Sequence, residues 1–62
     1  MSKIRDLREN KGLSQENIAR ELNIKQQAVA KWENGLALPR ADKLPQLAKI
    51  LDCTIDELFE NG

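Results

Sequence analysis

Histidine is absent, and Cys53 is the single cysteine among 62 residues. No intramolecular disulfide can form, and a structural zinc site, which needs several Cys or His ligands, is excluded. One unpaired cysteine fits a reducing cytoplasm, and Cys53 reads as a small, half-buried hydrophobe. No apolar run approaches the ~18 residues of a membrane span. The opening MSKIRDLREN is too charged for a secretory leader. A soluble, cytoplasmic protein is therefore expected, with no membrane partner. Tyrosine is missing, β-branched residues are few, and no alternation lasts a strand's length, so strands are not expected. There is no paired cysteine and no glycine-rich phosphate loop, and the chain is too short to enclose a pocket. An enzyme is not expected, nor is a metal or other cofactor. Net charge is absent too, with ten basic and ten acidic residues. A neutral chain exerts no global pull on nucleic acid. The distribution is uneven, however. Asp52, Asp56, Glu57 and Glu60 close the chain with no base among them, leaving the first 51 residues a surplus of four positive charges.

What is present is helical spacing throughout. Residues 1–62 make one domain, and so short a chain must rely on compact helix packing and dimerisation. A first helix spans about Ser2 to Lys11, with Ile4 and Leu7 inward and Gly12 ending it. Leu13 points back to the core. Ser14 caps a second helix, about Gln15 to Leu22, whose buried stripe is Ile18, Ala19 and Leu22. Asn23 tolerates the left-handed exit, and Ile24 is buried in the turn. A third helix runs from about Gln26 to Glu33, with Val29 and Trp32 inward and Ala28 beside them. At the only Trp, Trp32, helical spacing from Val29 marks a core residue and not a base-stacking one. Asn34-Gly35 stops this helix. Leu44, Leu47, Ala48 and Leu51 form the face of a fourth helix. Pro45 is tolerated only in a first turn, so that helix starts near Asp42. Thr54 and Glu57 form a capping box for a last helix, about Ile55 to Glu60.

The informative block is LSQENIARELNIKQQAVAKWENG, residues 13 to 35. Two short helices are joined by about three residues. The second packs across the first through Ile18, Leu22, Val29 and Trp32. Ala19 is small where the backbones approach, and Ile24 plugs the corner. This is a helix-turn-helix, about residues 15–33, and it leaves the outer face of the helix at 26–33 free to enter the major groove of DNA.

The chain resembles the Cro/cI-type (XRE-family) helix-turn-helix domains of phage repressors and related bacterial regulators. RENKGLSQENIARELNI is similar to the family's first two helices, VAKWENGLALP to its recognition helix and following loop, and LPQLAKILDCTIDELF to its closing helices. The resemblance implies an all-α, compact five-helix lambda-repressor-like domain. It implies a transcriptional regulator of the repressor kind, binding a palindromic operator in double-stranded DNA as a homodimer, at least on DNA. An antitoxin or adaptor of the same fold, binding a protein partner, is the alternative.

Two positions depart from the family's pattern: Asn23 stands where glycine is common, and Lys25 where Ser or Thr caps the recognition helix. Loss of the cap costs ~0.5–2 kcal/mol, and a cation opposes the positive helix N-terminus. A nearby DNA phosphate would offset both, which makes Lys25 a backbone-contact candidate. Gln26 and Gln27 are base-contact candidates, because glutamine can bond adenine through N6 and N7. In some relatives, paired glutamines here read bases. Lys31, four residues beyond Gln27 on the same face, is a third, for guanine or a phosphate. Ala30 lies between them on the outward side. The resemblance assigns phosphate contacts to Gln15 and Asn34, and Arg40 is a further backbone candidate. It also implies a structural ion pair, Arg8 with Glu33, tying the first helix to the third. Of the remaining large hydrophobes, Leu38 and Leu58 are expected to pack internally, and Leu36 and Phe59 to make a dimer contact.

Overall fold

The computed structural model describes residues 3–59. Five α-helices follow one another: α1 (Lys3–Asn10), α2 (Gln15–Leu22), α3 (Gln26–Glu33), α4 (Leu44–Leu51) and α5 (Ile55–Leu58). No strand occurs among the described residues. The expected bounds of α2 and α3 coincide with those observed. The expected first residue of α1, Ser2, and last residue of α5, Glu60, lie outside the described residues.

Local chemistry sets most boundaries. Ser14 accepts from the Asn17 backbone N–H at 3.0 Å, and Asn17 Oδ1 accepts from the Ser14 N–H at 2.9 Å, a complete capping box. Thr54 and Glu57 do the same for α5, at 3.1 and 2.9 Å. The Thr54 backbone and side-chain hydrogen bonds hold the Glu57 carboxyl below its ordinary pKa. Lys25 occupies the N-cap of α3 with no side-chain cap bond. The fourth helix differs from expectation. Residues Ala41–Lys43 form a 3-10 turn and α4 begins at Leu44. Pro45 lacks an N–H and would crowd the carbonyl four residues back. The preceding turn therefore closes tightly, with the Lys43 N–H donating to Arg40 O at 2.9 Å.

The first four helices leave by one device. Gly12, Asn23, Gly35 and Asp52 all have φ between 56° and 74°. In each case the next residue's N–H reaches back five positions: Leu13 to Arg8, Ile24 to Ala19, Leu36 to Lys31 and Cys53 to Ala48, at 2.9–3.1 Å. This is the Schellman closure, in which the following residue is commonly apolar and packs back. Leu13, Ile24 and Cys53 do pack against the core. Leu36 does not, with 74% of its surface exposed.

One core joins all five helices: Ile4, Ile18, Ala19, Leu22, Val29, Trp32, Leu47, Ala48, Leu51 and Leu58. Leu38 is a correction: expected inside, it is 78% exposed. The residue before a proline favours an extended backbone, in which neighbouring side chains point to opposite sides. Pro39 is the buried member, which turns Leu38 outward. Burial pushes the half-buried Cys53 thiol up, and the Glu57 and Asp52 carboxylates push it further. That holds it in the unreactive thiol form.

A buried carboxylate ties the first three helices together. Arg8 Nε donates to Glu33 Oε2 at 2.6 Å and Arg8 Nη2 to Oε1 at 3.0 Å. Gln15 Nε2 donates to Oε1 at 3.0 Å, and Arg5 Nε to Oε1 at 3.3 Å. The Glu33 side chain is completely buried. Arg8 Nη1 also donates to Leu13 O, fixing the α1–α2 turn. Burial by itself would raise the Glu33 pKa. The Arg8 hydrogen bond, the Gln15 hydrogen bond, the Arg8 charge and the Arg5 hydrogen bond outweigh it, so the carboxyl titrates below its ordinary value.

A group depressed in the folded state stabilises above its unfolded pKa, ~4.3 for Glu, and that contribution is lost as pH falls through the folded value. Urea midpoints should therefore hold steady from neutral pH to about the unfolded pKa and fall below it. A domain of this length has roughly 3–9 kcal/mol of stability in all. Glu33→Ala strands Arg8 and should cost ~3–5 kcal/mol, a large fraction of that total, read as a strongly lowered urea midpoint at neutral pH. In the other direction, Lys25→Ser supplies the missing cap and should raise stability by ~0.5–2 kcal/mol in urea titrations.

Candidate nucleic-acid interface

The two faces of α3 have separate tasks. Val29, Trp32 and Glu33 are buried. Gln26, Gln27 and Lys31 are exposed on the other side, with Ala30 half-buried between them. Helical spacing keeps the groups apart, because residues three and four apart share a face. The inward residues fix where the helix lies, and the outward ones are free for contact.

The outward face is not loose. Gln26 Nε2 donates to Gln15 Oε1 at 2.9 Å. Gln15 in turn donates to Glu33. A continuous chain thus runs from the arginines of α1 through Glu33 and Gln15 to the first residue of α3. With one Gln26 N–H directed to Gln15, its remaining N–H and Oε1 form a donor–acceptor edge. A carboxamide edge of this kind matches adenine N7 and N6. Gln27 and Lys31 have no such side-chain tether to the described residues.

The backbone-contact candidates divide into two groups. Gln15 is half-buried and holds two side-chain bonds within the protein. Its second side-chain N–H and the backbone amides of Gln15 and Glu16 lack intrahelical acceptors, while Ser14 caps the Asn17 amide. Lys25 is exposed immediately before α3. Asn34 is exposed at the other end, and its Oδ1 accepts from Arg5 Nη2 at 3.2 Å. Arg40 stands apart on the loop, exposed, with its Nε 3.6 Å from Asp42 Oδ1.

Arg5, which bonds both Glu33 and Asn34, is a residue that the sequence does not single out. Its signal is there, since Arg5 and Arg8 are three apart on one face of a helix, and a cation on that face shares whatever Arg8 pairs with. The link from Gln15 to Gln26 has no sequence signal, because it depends on how α2 and α3 cross.

Leu36 and Phe59, the dimer-contact candidates, are both exposed, Phe59 by 46%. Leu38 joins Leu36 on the loop surface. A shallow groove of about 430 Å³ lies on the other side of α2, between Lys11, Leu13, Asn17, Arg20, Glu21 and Ile50. It shares no residue with the face of α3. Among the described residues, no helix is long and apolar enough to cross a membrane.

Comparison with known proteins bears on the same elements. The helix-turn-helix family model matches residues 4–58, from α1 through α5. The HTH-type transcriptional activator BcrR of Enterococcus faecalis is 39% identical over 57 residues, covering 92% of this chain and 28% of that protein. The cryptic phage CTXphi transcriptional repressor RstR of Vibrio cholerae is 35% identical over 61 residues, covering 98% of this chain and 55% of that protein. The chain therefore spans between about a quarter and just over half the length of these relatives. With nearly all of its described helices matched, the chain belongs to the helix-turn-helix family, as a DNA-binding domain of the Cro/cI type found in transcription regulators.

Proposed function

We propose that the chain is the sequence-specific DNA-reading unit of a cytoplasmic transcription regulator. It binds a palindromic operator as a homodimer, with α3 in the major groove of each half-site. The observation that carries this reading is the tethered Gln26. A glutamine held by Gln15 before DNA arrives presents its base-reading edge at no further entropic cost, which is preorganisation of a recognition surface. Gln27 and Lys31 complete the base contacts, and Gln15, Lys25, Asn34 and Arg40 take the flanking phosphates. Lys25 then has a reason for replacing a cap. The phosphate that it meets restores the favourable charge at the N-terminus of α3.

Size and surface support the dimer. Half-sites lie about 34 Å apart, one turn of DNA, and the molecule measures 26 × 23 × 22 Å. Two copies side by side on one face of the duplex reach each other if their recognition helices sit slightly off centre. Leu36 and Phe59 are the contact, since large apolar residues exposed among the described residues suit a symmetric interface. Repression needs no more than occupancy of such a site. An antitoxin or adaptor would bind a protein partner through the leucine-bearing loop and the acidic C-terminal helix, with DNA binding secondary or lost.

Selection of bound sequences from random duplex DNA tests the reading directly. It should return an inverted repeat with half-sites one turn apart, and failure to enrich any sequence would remove the proposal. Gln27→Ala should relax preference at one base pair per half-site, at ~1–3 kcal/mol; unchanged preference across operator variants would exclude base readout by this residue. Lys25→Ser, though more stable, should bind DNA less tightly. Its salt dependence should be weaker by about 0.9 log units per log salt for each phosphate that Lys25 neutralises.

A further inference from the structure

We propose that Arg5 is a DNA-backbone ligand, forming with Asn34 a single clamp for one phosphate at the C-terminal end of α3. This rests on the reading of Asn34 as a phosphate contact and adds a residue to it. Three observations carry it. Glu33 has one negative charge, and Arg8, nearly buried, already neutralises it through two hydrogen bonds. Arg5 is a second cation on the same carboxylate, 48% exposed, and its charge is surplus to the buried site. Second, Arg5 Nη2 holds Asn34 Oδ1 at 3.2 Å. That fixes the Asn34 amide with its oxygen toward the guanidinium and its NH2 outward. Third, the bonds to Glu33 and Asn34 take two of the five guanidinium N–H donors, and the rest are available beside the Asn34 NH2.

The electrostatics require such a cation. A phosphate at Asn34 sits by the last carbonyls of α3, the negative end of the helix, and is repelled there. An arginine fork reverses the local sign and matches two phosphate oxygens at once. Asn34 alone supplies neither.

The test is titration of a mixed-sequence DNA duplex over a range of salt concentrations, with urea unfolding of each variant in parallel. Arg5→Gln should reduce the slope of log affinity against log salt by about 0.9, the signature of one phosphate no longer neutralised. Arg5→Lys should keep the wild-type slope but bind more weakly, because one ammonium cannot orient Asn34 and meet the phosphate in a fork. Asn34→Ala should weaken binding less in the Arg5→Gln background than alone. An unchanged slope in Arg5→Gln, with affinity falling only as far as the unfolded fraction explains, would overturn the proposal and leave Arg5 as a support for Glu33. Independent effects of Arg5→Gln and Asn34→Ala would overturn the shared clamp. Absence of duplex binding by the wild-type chain would defeat the DNA-reading function itself, and so is distinguishable from failure at Arg5.

Discussion

A single buried carboxylate organises this domain. Glu33 lies at the end of α3, yet its oxygens are bonded from α1 by Arg5 and Arg8 and from α2 by Gln15. An ionised carboxylate out of water is expensive unless every lone pair is met. Here two helices meet the demand of a carboxylate on a third, so none of the three can shift without exposing the charge. The apolar core holds the helices close. Glu33 selects one arrangement among those that a greasy core would tolerate. The network also reaches outward, since the glutamine that satisfies Glu33 on one side holds Gln26 on the other.

Most of the fold is legible in the chain because its signals are local. Ser14, Thr54, Gly12, Asn23 and the stripes of α2 and α4 each act within a few residues, and the helices follow. The failures arise where neighbouring residues compete for one position or where an uncommon residue fills a familiar role. Leu38 looks like core by composition, but the loop can turn only one of Leu38 and Pro39 inward, and Pro39 wins. The start of α4 moves because Pro45 forces a tighter turn ahead of it. Asn17 completes a capping box that the sequence does not advertise, since Glu or Gln usually fills that role.

The candidate interface divides in the same way. Exposure of Gln26, Gln27 and Lys31 follows from helical period once Val29 and Trp32 are inside. Arg8 with Glu33 comes from family resemblance and not from spacing, because 25 residues separate the partners. The tether between Gln15 and Gln26, and the reach of Arg5 to Asn34, arise from the crossing of helices and have no one-dimensional trace.

The separation of inner and outer faces on α3 bears on how such a domain can change over evolutionary time. Gln27 and Lys31 point away from the interior, so substitutions there leave the scaffold level and, on the proposed reading, alter only what is recognised. Gln26 is different. It is wired through Gln15 to the charge that fixes three helices, and a change at that position disturbs the scaffold as well as the contact. On the proposed reading, drift in specificity would begin at Gln27 and Lys31, and reach Gln26 only with a matching change at Gln15.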